Sequence, residues 1–112
     1  MNKKTNKLTI EVELDEKAMP EKIKWLNNQN ELQEIKSILI ALWDPSTNNT
    51  LQLDLWTKDM TTDEMRYFIV QRMFLLAETL RKSTGDEKES MIIHDTAMFL
   101  AQKFGFLKNK DQ

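Results

Sequence analysis

The chain has 112 residues, 16 Lys/Arg against 18 Asp/Glu, a net charge of −2 and no cysteine. At this length a single domain over 1–112 buries roughly two-thirds of the surface its unfolded form exposes, so it needs no disulfide or metal to fold, and the lack of thiols excludes thiol catalysis and thiolate metal sites. Counted along the chain, residues 1–34 hold 6 basic and 7 acidic side chains, 35–60 hold 2 and 3, 61–84 hold 4 and 3, and 85–112 hold 4 and 5; no segment offers the concentrated basic footprint that nucleic acid or an anionic membrane requires.

The basic start Met1–Lys7 leads into the alternation of Leu8, Ile10, Val12 and Leu14 with Thr9, Glu11 and Glu13. That pattern is a strand with one apolar and one acidic face, not a signal peptide. No stretch is long and apolar enough to span a bilayer, and the expected location is the cytoplasm. Glu11 and Glu13 share a face because residues two apart on a strand always do, so their plain reading is a solvated surface and not a carboxylate site. Residues 17–30 leave two readings open. Pro20 cannot donate to a ladder and Leu26-Asn27-Asn28-Gln29-Asn30 reads as loop, while Ile23 and Trp25 alternate with Lys22 and Lys24; a short edge strand and an extended lid packed by Trp25 both fit.

Ile35 to Trp43 is apolar at both parities, as in a strand inside a sheet with both faces covered. The turn formers Asp44-Pro45-Ser46-Thr47-Asn48-Asn49 join it to the alternating Leu51, Leu53 and Leu55, giving an antiparallel hairpin. For Ile38, Ile40 and Leu42 to share a face with those leucines, paired residue numbers must sum to an odd value. Trp43, Asp54 and Trp56 then fall on the opposite face, with Lys58 and Asp59 just beyond. The plain reading of these tryptophans is a second small core covered by Trp25; the sharper one is an aromatic and charged partner surface.

Thr61-Thr62-Asp63-Glu64 is a helix start with a capping box, and the helix predicted over about 62–84 carries two apolar stripes. Met65, Phe68, Ile69, Met73, Leu76 and Leu80 form one; Tyr67, Val70, Phe74 and Ala77 form the other. So apolar a helix must be covered on more than one side, by the sheet, by a second helix or by another subunit. Gly85 is placed to cap it, and Asp86 starts a second helix over about 87–104 with Ile93, Ala97, Leu100, Ala101 and Phe104 as its main stripe. Met91, Ile92, Met98 and Phe99 make a weaker stripe, either core or contact surface. After Gly105, Phe106 and Leu107 fold back ahead of a polar tail. His94 is the lone histidine, and its neighbour Asp95 points about 100° away on the helix, so it reads as structural. The seven methionines read as core filler. With two glycines in the whole chain there is no phosphate-cradling loop.

Val12-Glu13-Leu14-Asp15-Glu16, Pro20-Glu21-Lys22-Ile23-Lys24-Trp25, Leu42-Trp43-Asp44, Leu53-Asp54-Leu55-Trp56-Thr57-Lys58-Asp59-Met60, Asp63-Glu64-Met65 and Asp86-Glu87-Lys88 together resemble the gliding-motility-associated GldC family of Bacteroidetes. The block from Leu53 to Met65 is the most specific. The resemblance implies a small cytoplasmic accessory of the surface-gliding machinery with no enzymatic activity, cofactor, metal or catalytic residue to carry over.

The expectation is therefore an α+β protein: a mainly antiparallel sheet of three or four strands within 7–57, packed on one face by two antiparallel C-terminal helices. The first strand could lie beside either member of the hairpin. The expected function is non-enzymatic protein–protein interaction in gliding motility, with Trp43, Asp54, Trp56, Lys58 and Asp59 as the partner surface and self-association open. A secretion-chaperone-like binder of unfolded polypeptides is the alternative.

Overall fold

A computed structural model describes residues 3–107. In chain order it contains β1 (Ile10–Leu14), β2 (Pro20–Leu26), β3 (Leu32–Ile35), β4 (Ser37–Asp44), β5 (Asn49–Trp56), α1 (Thr62–Thr84) and α2 (Glu87–Lys103). The α+β order expected from the sequence holds. Its five strands are divided between two antiparallel sheets, β1-β2-β3 and β4-β5, where three or four in one sheet were expected. The chain forms two compact units, the first ending at Met60 and the second beginning at Thr61. The polar tail lies outside the described residues.

The segment with two open readings is β2, the central strand of its sheet and neither an edge strand nor a lid. It pairs with β1 through Ile10↔Trp25 and Val12↔Ile23, and with β3 through Ile23↔Ile35 and Trp25↔Gln33. β1 accordingly lies beside β2 and beside neither member of the hairpin. Pro20 is tolerated because it opens the strand, where the register shifts between Glu13 and Leu14, and such a position needs no ladder donor. One face carries Val12, Ile23 and Ile35, with Ile23 fully buried. The other is ionic: Lys24 Nζ lies 3.9 Å from Glu13 and Lys22 Nζ lies 4.0 Å from Glu34, which makes the Glu11/Glu13 pair part of a solvated lysine–carboxylate surface.

The strand predicted over Ile35–Trp43 is interrupted at Lys36. Ile35 still pairs with Ile23 of β2, whereas Ser37 pairs with Trp56 of β5, so the chain changes partner within one residue. From there the β4–β5 ladder runs unbroken, Ile38↔Leu55, Ile40↔Leu53 and Leu42↔Leu51, every pair summing to 93. The odd sum is the one the apolar pattern demands. It is held at one end by the turn, where Asp44 Oδ1 accepts from the Ser46 N–H at 2.9 Å and its hydroxyl at 2.7 Å, and at the other by the Thr57 N–H donating to the Lys36 carbonyl at 2.8 Å.

In the second unit, α1 starts with the predicted capping box: Thr61 Oγ1 accepts from the Glu64 N–H at 3.1 Å and Glu64 Oε1 from the Thr61 N–H at 2.9 Å. It ends at Gly85 in the left-handed region, φ 76°. Asp86 then caps α2 by accepting from the Glu89 N–H at 2.9 Å. The helices run antiparallel, because Tyr67 near the start of α1 stacks on Phe106 beyond the end of α2, ring centroids 3.7 Å apart, and Phe74 meets His94 edge-on at 5.1 Å. Val70, Ala77, Ala97 and Ala101 are buried, and the three alanines allow close approach. Of the two α1 stripes, Tyr67-Val70-Phe74-Ala77 is thus the one that packs on α2.

Two left-handed positions give stability predictions of opposite sign. Ala18 closes the β1–β2 turn at φ 62°, where a side chain costs about 1–2 kcal/mol. Relief of that strain less the added chain entropy should make Ala18→Gly more stable by about 0.5–1 kcal/mol. Gly85→Ala, at φ 76°, should lose about 1 kcal/mol by the same reasoning. Urea unfolding midpoints of the two variants check both signs.

Candidate functional site

The 93 register sorts the hairpin into two chemically distinct faces. Ile38, Ile40, Leu42, Leu51, Leu53 and Leu55 make one wholly aliphatic face, and Leu39, Ala41, Trp43, Gln52, Asp54 and Trp56 lie on the other. Trp43 is 63% exposed and Trp56 52%, and Asp54 is exposed as well. Trp25 belongs to the other sheet, between Ile10 and Gln33, and leaves both tryptophans open. They do not touch each other: Trp43 pairs with Thr50 and Trp56 with Ser37, so they sit at opposite ends of the ribbon, ~20 Å apart at 3.3–3.4 Å per residue. Asp54, in the row of Leu39, lies nearer Trp56.

Lys58 and Asp59 do not join this surface. Lys58 Nζ sits 2.5 Å from Asp15 Oδ2 and 3.9 Å from Glu21, tying the exit of β5 to the β1–β2 turn. Asp59 accepts from the hydroxyl of buried Thr57 at 2.5 Å. The five expected site residues therefore divide into an open aromatic face and a polar knot. Beside the knot is a cavity of about 320 Å³ whose walls include Glu21, Lys22, Glu34, Lys36 and Asp59, charges of both signs.

Asp15 is the residue that sequence reasoning missed. Besides its ion pair it accepts from the Lys17 and Met19 N–H groups at 2.8 and 2.9 Å. Its own turn signal, an Asp at a strand end, was legible; its partner 43 positions away in the chain was not. His94 is half-exposed, with Nδ1 3.6 Å from Asp95 Oδ1, a separation too long for a hydrogen bond. Among the described residues no cluster of three or more His, Cys, Asp or Glu side chains could hold a metal ion, and no helix is long and apolar enough to cross a membrane.

A family model described as "Gliding motility-associated protein GldC-like" matches residues 20–106. No curated protein and no solved structure matches the chain at a significant level. The matched span takes in the whole hairpin and both helices and begins after Asp15.

The Asp15–Lys58 knot carries a pH signature. The Lys58 hydrogen bond, with help from the Met19 and Lys17 amides, holds the Asp15 carboxyl below its ordinary value of 3.8, and Asp15 in turn raises Lys58 above 10.5. A depressed carboxylate contributes stability that is present above its unfolded value and lost as pH falls through the folded one. Asp15→Asn keeps the turn acceptor and removes the charge. It should be less stable than wild type at neutral pH, and the gap should close as pH is lowered below 3.8; thermal melts across that range measure it.

Proposed function

The chain belongs to the GldC-like family of gliding-motility-associated proteins, and we propose that it serves the motility machinery without catalysis, in the cytoplasm, by binding a protein partner through the hairpin face of Trp43, Asp54 and Trp56. The observation that carries this reading is the exposure of both tryptophans on one face of a ladder whose opposite face is aliphatic. A tryptophan left in water forgoes its largest stabilising contribution to the fold. Given to a partner, the same ring is among the strongest interface anchors, each costing ~2 kcal/mol or more on truncation. Asp54 adds a charge whose pairing selects the partner.

A second reading, a binder of unfolded polypeptides, draws on a different observation. Exposed apolar side chains extend beyond this face to Leu51 and Leu53 on the hairpin and to Met91, Ile92 and Phe99 on α2, and flexible methionine surfaces adapt to varied chains.

Capture from a cell extract separates the two. The first reading expects one or two defined proteins on immobilised wild type and a loss of roughly 30-fold in affinity for Trp43→Ala or Trp56→Ala, the equivalent of ~2 kcal/mol. Because each ring is more than half exposed, melting temperatures should move little, and cells carrying the variants should spread less on agar. Folded variants that retain capture and spreading would sink the tryptophan face. Indiscriminate uptake of denatured chains, unaffected by either substitution, would favour the second reading.

A further inference from the structure

The residue pattern of β4 and its place in the structure disagree. Ser37-Ile38-Leu39-Ile40-Ala41-Leu42-Trp43 is apolar at both parities and carries no charge, proline or glycine, the composition of a strand inside a sheet with both faces covered and without the charges that blunt an edge. In the structure it has β5 on one side and, among the described residues, no strand on the other. The Thr57 N–H donates to the Lys36 carbonyl, so by the alternation of an antiparallel ladder Ile38, Ile40 and Leu42 face β5. Leu39, Ala41 and Trp43 then turn their backbone N–H and C=O groups to the open edge. A two-stranded ribbon alone is marginal in water and is stabilised by a further strand or by a helix packed on it.

The other open edges are blunted in the usual way, by charge. β1 carries Glu11 and Glu13, β3 carries Glu34 and β5 carries Asp54, whereas β4 has no charged residue before its last position, Asp44. All five strands of this chain among the described residues are already assigned to ladders.

We propose that the open edge of β4 is completed by β4 of a second copy of this chain, paired antiparallel about a two-fold axis normal to the sheet at Ile40 or Ala41. Self-pairing there opposes no like charges, which distinguishes β4 from β5, where the Asp54 side chains would come together. The symmetry also fixes the parity. An axis normal to the sheet pairs residues whose numbers sum to an even value, so residues on the aliphatic face of one copy lie beside those on the aliphatic face of the other. The product is a four-stranded sheet, β5-β4-β4-β5, with one continuous face built from Ile38, Ile40, Leu42 and Leu51, Leu53, Leu55 of both copies. This inference rests on the edge of β4 and is independent of the partner proposed for the tryptophan face.

The absence of cysteine from the chain makes the test direct. Light scattering on the full chain at about 10 μM should give twice the 13.3 kDa of one copy. Under mild oxidation Ile40→Cys or Ala41→Cys, whichever lies on the axis, should form a covalent dimer, because residues opposite across a ladder are about 4.5–5.5 Å apart at Cα. Gln52→Cys, on the outer strand, should stay uncrosslinked. Leu39→Lys, which blunts the edge, should return the wild-type dimer to monomer with its circular dichroism retained. A wild-type monomer overturns the proposal. So does a dimer in which neither position 40 nor 41 crosslinks, or in which Gln52→Cys crosslinks as fast.

Discussion

The chemistry of this protein's surface depends on one constraint, the odd-sum register of the β4–β5 ladder. Side chains alternate along a strand, so a slip of one residue would exchange Leu51, Leu53 and Leu55 with Thr50, Gln52 and Asp54 and leave each face half polar. Two short-range devices fix the register. The Asp44–Ser46 hydrogen bonds close the turn, and Asn48 supplies a left-handed residue at φ 56°, a conformation Asn tolerates better than most. At the far end the Thr57–Lys36 bond carries the same sum one row further, and the Thr57 hydroxyl is spent on Asp59. Nothing about the tryptophan face would follow if either end were loose.

Where a short-range cap or turn sets the structure, the sequence is legible. The Thr61 box, the Gly85 cap, the Asp86 cap and the return of Phe106 after Gly105 all appear where residue type places them. The parity of the hairpin is equally local and equally legible, whereas the exposure of Trp43 and Trp56 runs against the plain reading of a second small core under Trp25, because the pairing of Trp25 with Ile10 and Gln33 is a contact that parity does not announce. The first sheet was harder to read. Asn27 accepts from the Gln29 and Glu31 N–H groups and Asn30 sits at φ 60°, so the tract read as loop is a tight hairpin turn. β3 beyond it is four residues, with Gln33 and Glu34 in the middle, too short and too polar for its period to register. The partner change at Lys36 was hidden because the apolar run passes through it without a break.

The candidate site followed the same division. Trp43, Asp54 and Trp56 were grouped by parity, a local property, and remain together on one face. Lys58 and Asp59 adjoin them in sequence and have partners of their own: Asp59 accepts from the Thr57 hydroxyl, and the Lys58 ion pair to Asp15 joins distant parts of the chain, a contact that no period announces. α1 shows the same limit in another form. Both stripes were visible, but which of them meets α2 was decided by Ala77, Ala97 and Ala101, small residues that matter by letting helices approach and not by their hydrophobicity.

The separation of the two tryptophans narrows what the proposed partner must be. The Trp56 and Trp43 rows are six residue steps apart on β4, ~20 Å of ribbon, so a single loop tip cannot engage both. A partner that uses both rings must lay an extended strand or about four turns of helix along the face, since a helix rises ~5.4 Å per turn. In either case its course crosses Gln52 and passes Asp54. The middle of the contact is therefore mixed, Leu39 and Ala41 beside Asp54 and Gln52, with the aromatic anchors at its ends. Affinity in such an arrangement comes from the ends and discrimination from the middle, because an unpaired carboxylate enclosed by a wrong partner costs more than either ring returns.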